Sequence, residues 1–171
     1  MLYPREKILP SPNLDLMINF GEPFRVYAAG DKQPAITCSE SWSAGLQSRY
    51  TVVEIPARTH VLSVSFKPGD AYPFLRLPLS ELQDQVVPLD ALWGSFAAEV
   101  RDRVHDVPAA TERIALLERL LPARLGEAPP GWDGLQFAVG KIAGHHGVIS
   151  IRALSDEMGM SQMHRCGFAM A

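Results

Sequence analysis

The apolar residues change period once along the chain, near Pro88, and that change separates a strand-forming half from a helix-forming half. Upstream, β-branched and aromatic residues gather in runs at residues 14–20, 24–28, 46–55 and 61–66. Between the runs, Gly21-Glu22-Pro23, Ala29-Gly30-Asp31 and Lys67-Pro68-Gly69-Asp70 each supply turn chemistry, with Pro fixing φ and Gly accepting positive φ. Residues 1–88 are therefore expected to fold as a β-rich small barrel or sandwich.

Downstream, apolar residues recur every three to four positions. Asp90 is a plausible N-cap for a helix over 90–104, with Leu92, Trp93, Phe96, Val100 and Val104 on one face. A second helix over 109–121 aligns Ile114, Leu117, Leu120 and Leu121, until Pro122 kinks or ends it. The two make a helical hairpin, residues 89–126, that covers the β-rich part or pairs with a second copy. Phe96, Val100, Ile114, Leu117 and Leu121 are the residues expected to carry that pairing. Gly126 to Gly131, with Pro129 and Pro130, reads as a linker and places a boundary. Beyond it, a helix over 132–145 stops at Gly147, Ser150 caps a short helix, Gly159 offers a left-handed residue, and Ser161 caps the next helix. Helix, glycine turn, serine cap, helix is the outline of a helix-turn-helix. The fold class is thus α+β, with the start of an all-α domain over 127–171.

Composition narrows the function classes. With 47% hydrophobic and 20% charged residues the 171-residue chain can bury a core, and a net charge of −3 argues against a general polyanion binder. No apolar run is long enough to span a membrane and no signal-like segment opens the chain, so a cytoplasmic protein is expected. Cys38 and Cys166 match no disulfide or zinc spacing. His145, His146, His164 and Cys166 include suitable metal ligands, but neighbours on a helix diverge by about 100° and no second pair stands at ligand spacing. His60 is the only histidine of the β half, too few for a metal-binding cupin-like site. Ser41 to Gly45 lacks the glycine a nucleophile elbow needs, and Gly134 to Lys141 has the wrong gap for a phosphate loop. No catalytic residue, cofactor or metal is assigned. Trp42, Tyr50, Tyr72, Phe74 and Trp93 are aromatic enough to line a pocket, although core packing accounts for each of them individually.

The run Ile149-Ser150-Ile151-Arg152-Ala153-Leu154, continued through Gly159-Met160-Ser161, resembles the first helix-turn-helix of AraC-type transcription regulators. Phe66-Lys67-Pro68-Gly69-Asp70-Ala71-Tyr72-Pro73-Phe74-Leu75, with Glu81-Leu82, Asp84 and Leu89 to Trp93-Gly94, is similar to the sensor domain of one branch of that family. Ile18 to Gly21 and Ser41 to Gly45 agree with the same branch. The resemblance covers most of residues 13–164. It implies a β-rich sensor for an unknown small-molecule effector, a hairpin that forms a homodimer, and a DNA-binding domain. Ser161, Gln162, Met163 and Arg165 would then face DNA.

After Ser161 the family pattern holds through His164 and fails at Arg165, where a leucine should seat the recognition helix. A frameshifted or truncated reading frame is expected. Residues 127–171 also carry Lys141, Arg152 and Arg165 against Glu127, Asp133, Asp156 and Glu157, a surplus of one negative charge. The expected function is therefore the sensing and self-associating part of an AraC-type regulator, non-enzymatic and unable as given to bind DNA specifically. The rival reading is a small-molecule-binding or metal-dependent cupin-like barrel.

Overall fold

The structure, a computed structural model, describes residues 5–28 and 30–159. Its strands are β1 (Arg5–Ile8), β2 (Leu14–Asn19), β3 (Phe24–Tyr27), β4 (Ile36–Cys38), β5 (Ser41–Gly45), β6 (Thr51–Glu54), β7 (Val61–Phe66) and β8 (Val86–Pro88). They form two four-stranded antiparallel sheets, ordered β1-β6-β3-β4 and β7-β2-β5-β8. The helices are α1 (Tyr72–Leu75), α2 (Leu89–Trp93), α3 (Ser95–His105), α4 (Ala110–Leu120), α5 (Trp132–Gly144) and α6 (Ile151–Glu157).

The alternation of β2 sets the layering. Leu14, Leu16 and Ile18 point to the helical side, where Leu14 and Leu16 join Phe66, Leu75, Leu89 and Trp93, and Ile18 meets Val100, Val104, Leu117 and Leu120. Met17 points the other way, into a core shared by the two sheets around Phe24, Val26, Cys38 and Trp42. Sheet, sheet and helices thus stack in three layers, and the second sheet is covered on both faces. The α+β class expected from the sequence is what forms. Of the two β architectures expected, the closed barrel does not, because the sheets remain separate and keep their own edge strands.

Three local differences from the sequence expectation have physical causes. The run at 46–55 is strand only over Thr51–Glu54, because Leu46 adopts φ 50° and turns the chain while its N–H donates to Asn13 O at 3.0 Å. Ser41–Gly45, in which Trp42 stands among small residues of weak strand propensity, is nonetheless an inner strand, since β2 and β8 pair it from both sides. The helix expected over 90–104 is two helices, because Gly94 at φ 60° and ψ −143° leaves the helical region, a conformation that a Cβ would make costly. Its start differs too: Pro88 occupies the N-cap, and the Asp90 carboxylate accepts from Ala91 N–H at 3.0 Å.

Asn19 ties the layers together. Fully buried at the end of β2, it donates through Nδ2 to Glu22 O and Ser39 O, each at 3.1 Å, and its Oδ1 accepts from Gly21 N–H at 3.0 Å. Its carbonyl accepts from Arg101 Nε of α3 at 3.2 Å, so one residue joins a turn, a loop and the helical layer.

Candidate functional site

A cleft of about 800 Å³ lies where α5 comes up against the β-rich domain. Pro10 to Pro12 and residues 46–48 and 78–83 contribute to its lining, and two further segments face each other across it. One is the turn after β7, where Pro68, Gly69 and Tyr72 stand beside Leu46 and Leu79. The other is the chain from Pro129 through α5, which contributes Trp132, Leu135 and Val139. Gln47, Ser48, Ser80 and Gln83 supply neutral polar groups, and no lining residue is charged.

The seam between these segments is built from specific contacts. Asp70 N–H donates to Lys67 O at 3.0 Å, closing the Lys67-Pro68-Gly69-Asp70 turn, and Asp70 Oδ1 accepts from Gln136 Nε2 at 2.9 Å. Gly69 takes φ +87°, and a Cβ there would come within 3.4 Å of the Gln136 amide and 3.7 Å of Leu135 and Val139. The positive φ is what calls for glycine here, whereas a Cβ would meet α5 only at ordinary contact distance. The Tyr72 and Trp132 rings make a tilted contact, with centroids 6.5 Å apart and planes at 46°. The 126–131 segment is anchored as well: Gly126 N–H donates to Pro73 O at 2.8 Å.

Downstream of the cleft, α5 and α6 are joined by an ion pair, Lys141 Nζ to Glu157 Oε2 at 2.5 Å, which holds the Glu157 carboxyl below its usual value. Ser150 caps α6 by accepting from Ala153 N–H at 3.1 Å, and Gly159 takes φ +64°, both as expected from the sequence. Phe137 and Ile142 of α5, Val148 of the α5–α6 connection and Ile151 of α6 leave large apolar surface exposed, Val148 at 86%.

The residues singled out from the sequence distribute unevenly. Ser161, Gln162, Met163 and Arg165, and with them His164 and Cys166, lie outside the described residues. Val100 and Leu117 are buried against Ile18, with Phe96 and Leu121 packed partly onto the same cluster. Ile114 alone of the five hairpin residues is a large apolar side chain left exposed, at 47%. Of the five aromatics, only Tyr72 lines the cleft. Trp42 and Trp93 are core residues, the latter donating from Nε1 to Phe74 O at 3.2 Å. Phe74 packs on the core, and Tyr50 lies under the Lys7 ammonium.

The sequence reading missed Trp132, Leu135 and Val139 as cleft residues, because the linker signal of Pro129 and Pro130 separated them from the β domain. A Pro-Pro-Gly-Trp string opening a helix was the available clue: it presents rigid apolar surface where a flexible linker would be polar.

Burial pushes the Cys38 thiol up to about 11, which leaves it protonated and inert. His60 is engaged by Arg113 Nη1 at 2.5 Å and makes a tilted ring contact with Phe20, joining the approach to β7 with α4. Among the described residues no three His, Cys, Asp or Glu side chains are grouped as a metal site would require. Among them also, no helix is long and apolar enough to cross a membrane.

Fold and cleft together define a two-sheet α+β domain that carries a helical layer and receives the first turns of α5 against one of its loops. Residues 3–88 match the family described as a domain of unknown function, DUF6597, and the chain belongs to that family. No curated protein matches the chain.

Proposed function

We propose that this chain is the sensing and self-associating part of an AraC-type transcription regulator, acting without chemistry of its own. The observation that carries the reading is the α5–α6 pair. In this reading α6, capped by Ser150 and closed by the left-handed Gly159, is the first helix of a helix-turn-helix, tied by its ion pair to α5, which meets the β domain through Gln136 and Trp132. The exposed Phe137, Ile142, Val148 and Ile151 support it, because further helices of an AraC-type domain would need such a surface to pack on. A cytoplasmic location follows from this role.

In this reading the chain forms a homodimer through the outward side of the hairpin, with Ile114 at its centre and Phe96, Val100, Leu117 and Leu121 supporting that helix from inside. By the same resemblance, the residues of this chain that would face DNA are Ser161, Gln162, Met163 and Arg165. This chain as given does not bind specifically, since Arg165 replaces the apolar anchor and the C-terminal segment lacks a cationic surplus.

The test is a fusion of the whole chain to a DNA-binding domain that represses a reporter only as a dimer. Repression is expected, and its loss in an Ile114→Asp fusion. A stable fusion that leaves the reporter fully active would refute the reading.

A further inference from the structure

The geometry points to the cleft between the β domain and α5 as the binding site of an uncharged, mostly apolar small molecule that carries a flat ring. The volume, about 800 Å³, is that of a small-molecule site. Its chemistry selects among small molecules. Leu46, Leu79, Leu135 and Val139 offer apolar contact, and a flat ring in the cleft would pack alongside the tilted Tyr72 and Trp132 pair, whose rings already touch each other. The polar groups are all neutral, and two are already committed: Gln47 accepts from Thr51 Oγ1 at 3.0 Å, and Ser48 donates to Asp84 Oδ2 at 2.6 Å. Ser80, Gln83, the Tyr72 hydroxyl and the Gln47 amide N–H groups remain for hydrogen bonds to a hydroxyl, carbonyl or amide of the ligand.

Charge is excluded at this site. An anionic ligand would lose its hydration without gaining a lining cation, and Asp70 and Asp84, which bond to Gln136 and to the lining Ser48, carry the same sign. A cationic ligand would find no carboxylate in the lining itself.

The site has walls on both sides of the seam, so a ligand that fills it favours the arrangement in which α5 is docked. The shift equals its differential affinity for docked over undocked α5. That consequence rests on the regulator reading above, whereas the binding site stands on the cleft alone.

The probe is N-phenyl-1-naphthylamine, an uncharged fluorophore, titrated into the full chain beside 1-anilinonaphthalene-8-sulfonate, which shares its rings but is anionic. The uncharged dye is expected to brighten and saturate at one equivalent, with the sulfonate binding at least about tenfold more weakly. Trp132→Ala and Val139→Arg are each expected to weaken the uncharged dye at least about tenfold while the melting transition persists. If one variant fails to fold, the other gives the result, and Gln83→Arg at the exposed rim is a third that leaves the core untouched. No binding of the uncharged dye by the full chain overturns the proposal, as does equal binding of the sulfonate or unchanged binding by the folded variants. The titration involves neither DNA nor reporter, so its failure is separable from that of the fusion test.

Discussion

Gln136 of α5 donates its side-chain amide to the carboxylate of Asp70 at 2.9 Å, across the seam between the helical C-terminal segment and the turn that follows β7. One hydrogen bond to a charged acceptor contributes about 1.5–3 kcal/mol when well formed, less where water competes. Gln136→Ala is therefore expected to raise the opening of this seam by roughly tenfold. Hydrogen exchange over α5 measures it: α5 amides should exchange faster in the variant while β2 amides stay protected. Unchanged α5 exchange would show that Gln136 does not hold the seam.

The hairpin separates stability from association at residues three apart. Leu117 is buried against Ile18 and Val104, so Leu117→Ala should cost about 2–4 kcal/mol and lower the melting temperature with little effect on the dimerisation constant of the folded chain. Ile114 faces outward, so Ile114→Asp should leave the melting temperature of the monomer nearly unchanged and abolish association. Sedimentation velocity beside thermal melts reads both. A monomeric unmutated chain at high micromolar concentration would remove the association claim.

The acid limb of stability has an identifiable source in the first sheet. Glu54 accepts from Arg25 Nη1 at 2.6 Å, from Tyr27 Oη at 2.9 Å and from Arg5 Nε at 3.2 Å, and these bonds, Arg25's first, hold its carboxyl below the ordinary 4.5. A carboxylate with a lowered folded value stabilises fully above its unfolded value, and the contribution fades as pH falls through the folded one. Asp84, held down by Ser48, has the same sign. Glu54→Gln is expected to lower the melting temperature at about pH 6 and to flatten its fall between about pH 5 and about pH 3. A variant whose acid limb is as steep as that of the unmutated chain would place the sensitivity elsewhere.

Much of the layering could be read in the sequence because it follows from local rules. The period of two put Leu14, Leu16 and Ile18 on one face, and Ser150 and Gly159 bounded α6 by capping chemistry that needs no tertiary partner. What could not be read depended on partners distant in the chain. Ser41–Gly45 is a strand only because β2 and β8 flank it. Val100 and Leu117 look the same in sequence whether Ile18 or a second copy covers them. The cleft was hidden for the same reason, since Tyr72 and Trp132 are brought together by a turn at Gly69 and a linker that docks.

The account rests on α5 and α6 being the first half of a DNA-reading unit, and a chimera measures that directly. Residues 1–159 of this chain are joined to the recognition helix and all that follows it from an intact AraC-type regulator of known operator. Electrophoretic mobility shifts at physiological salt then compare the donor's operator with a scrambled one. The account predicts a competitor-resistant complex on the operator at least about a hundredfold tighter than on the scrambled site. A folded chimera that binds both sequences equally would contradict it.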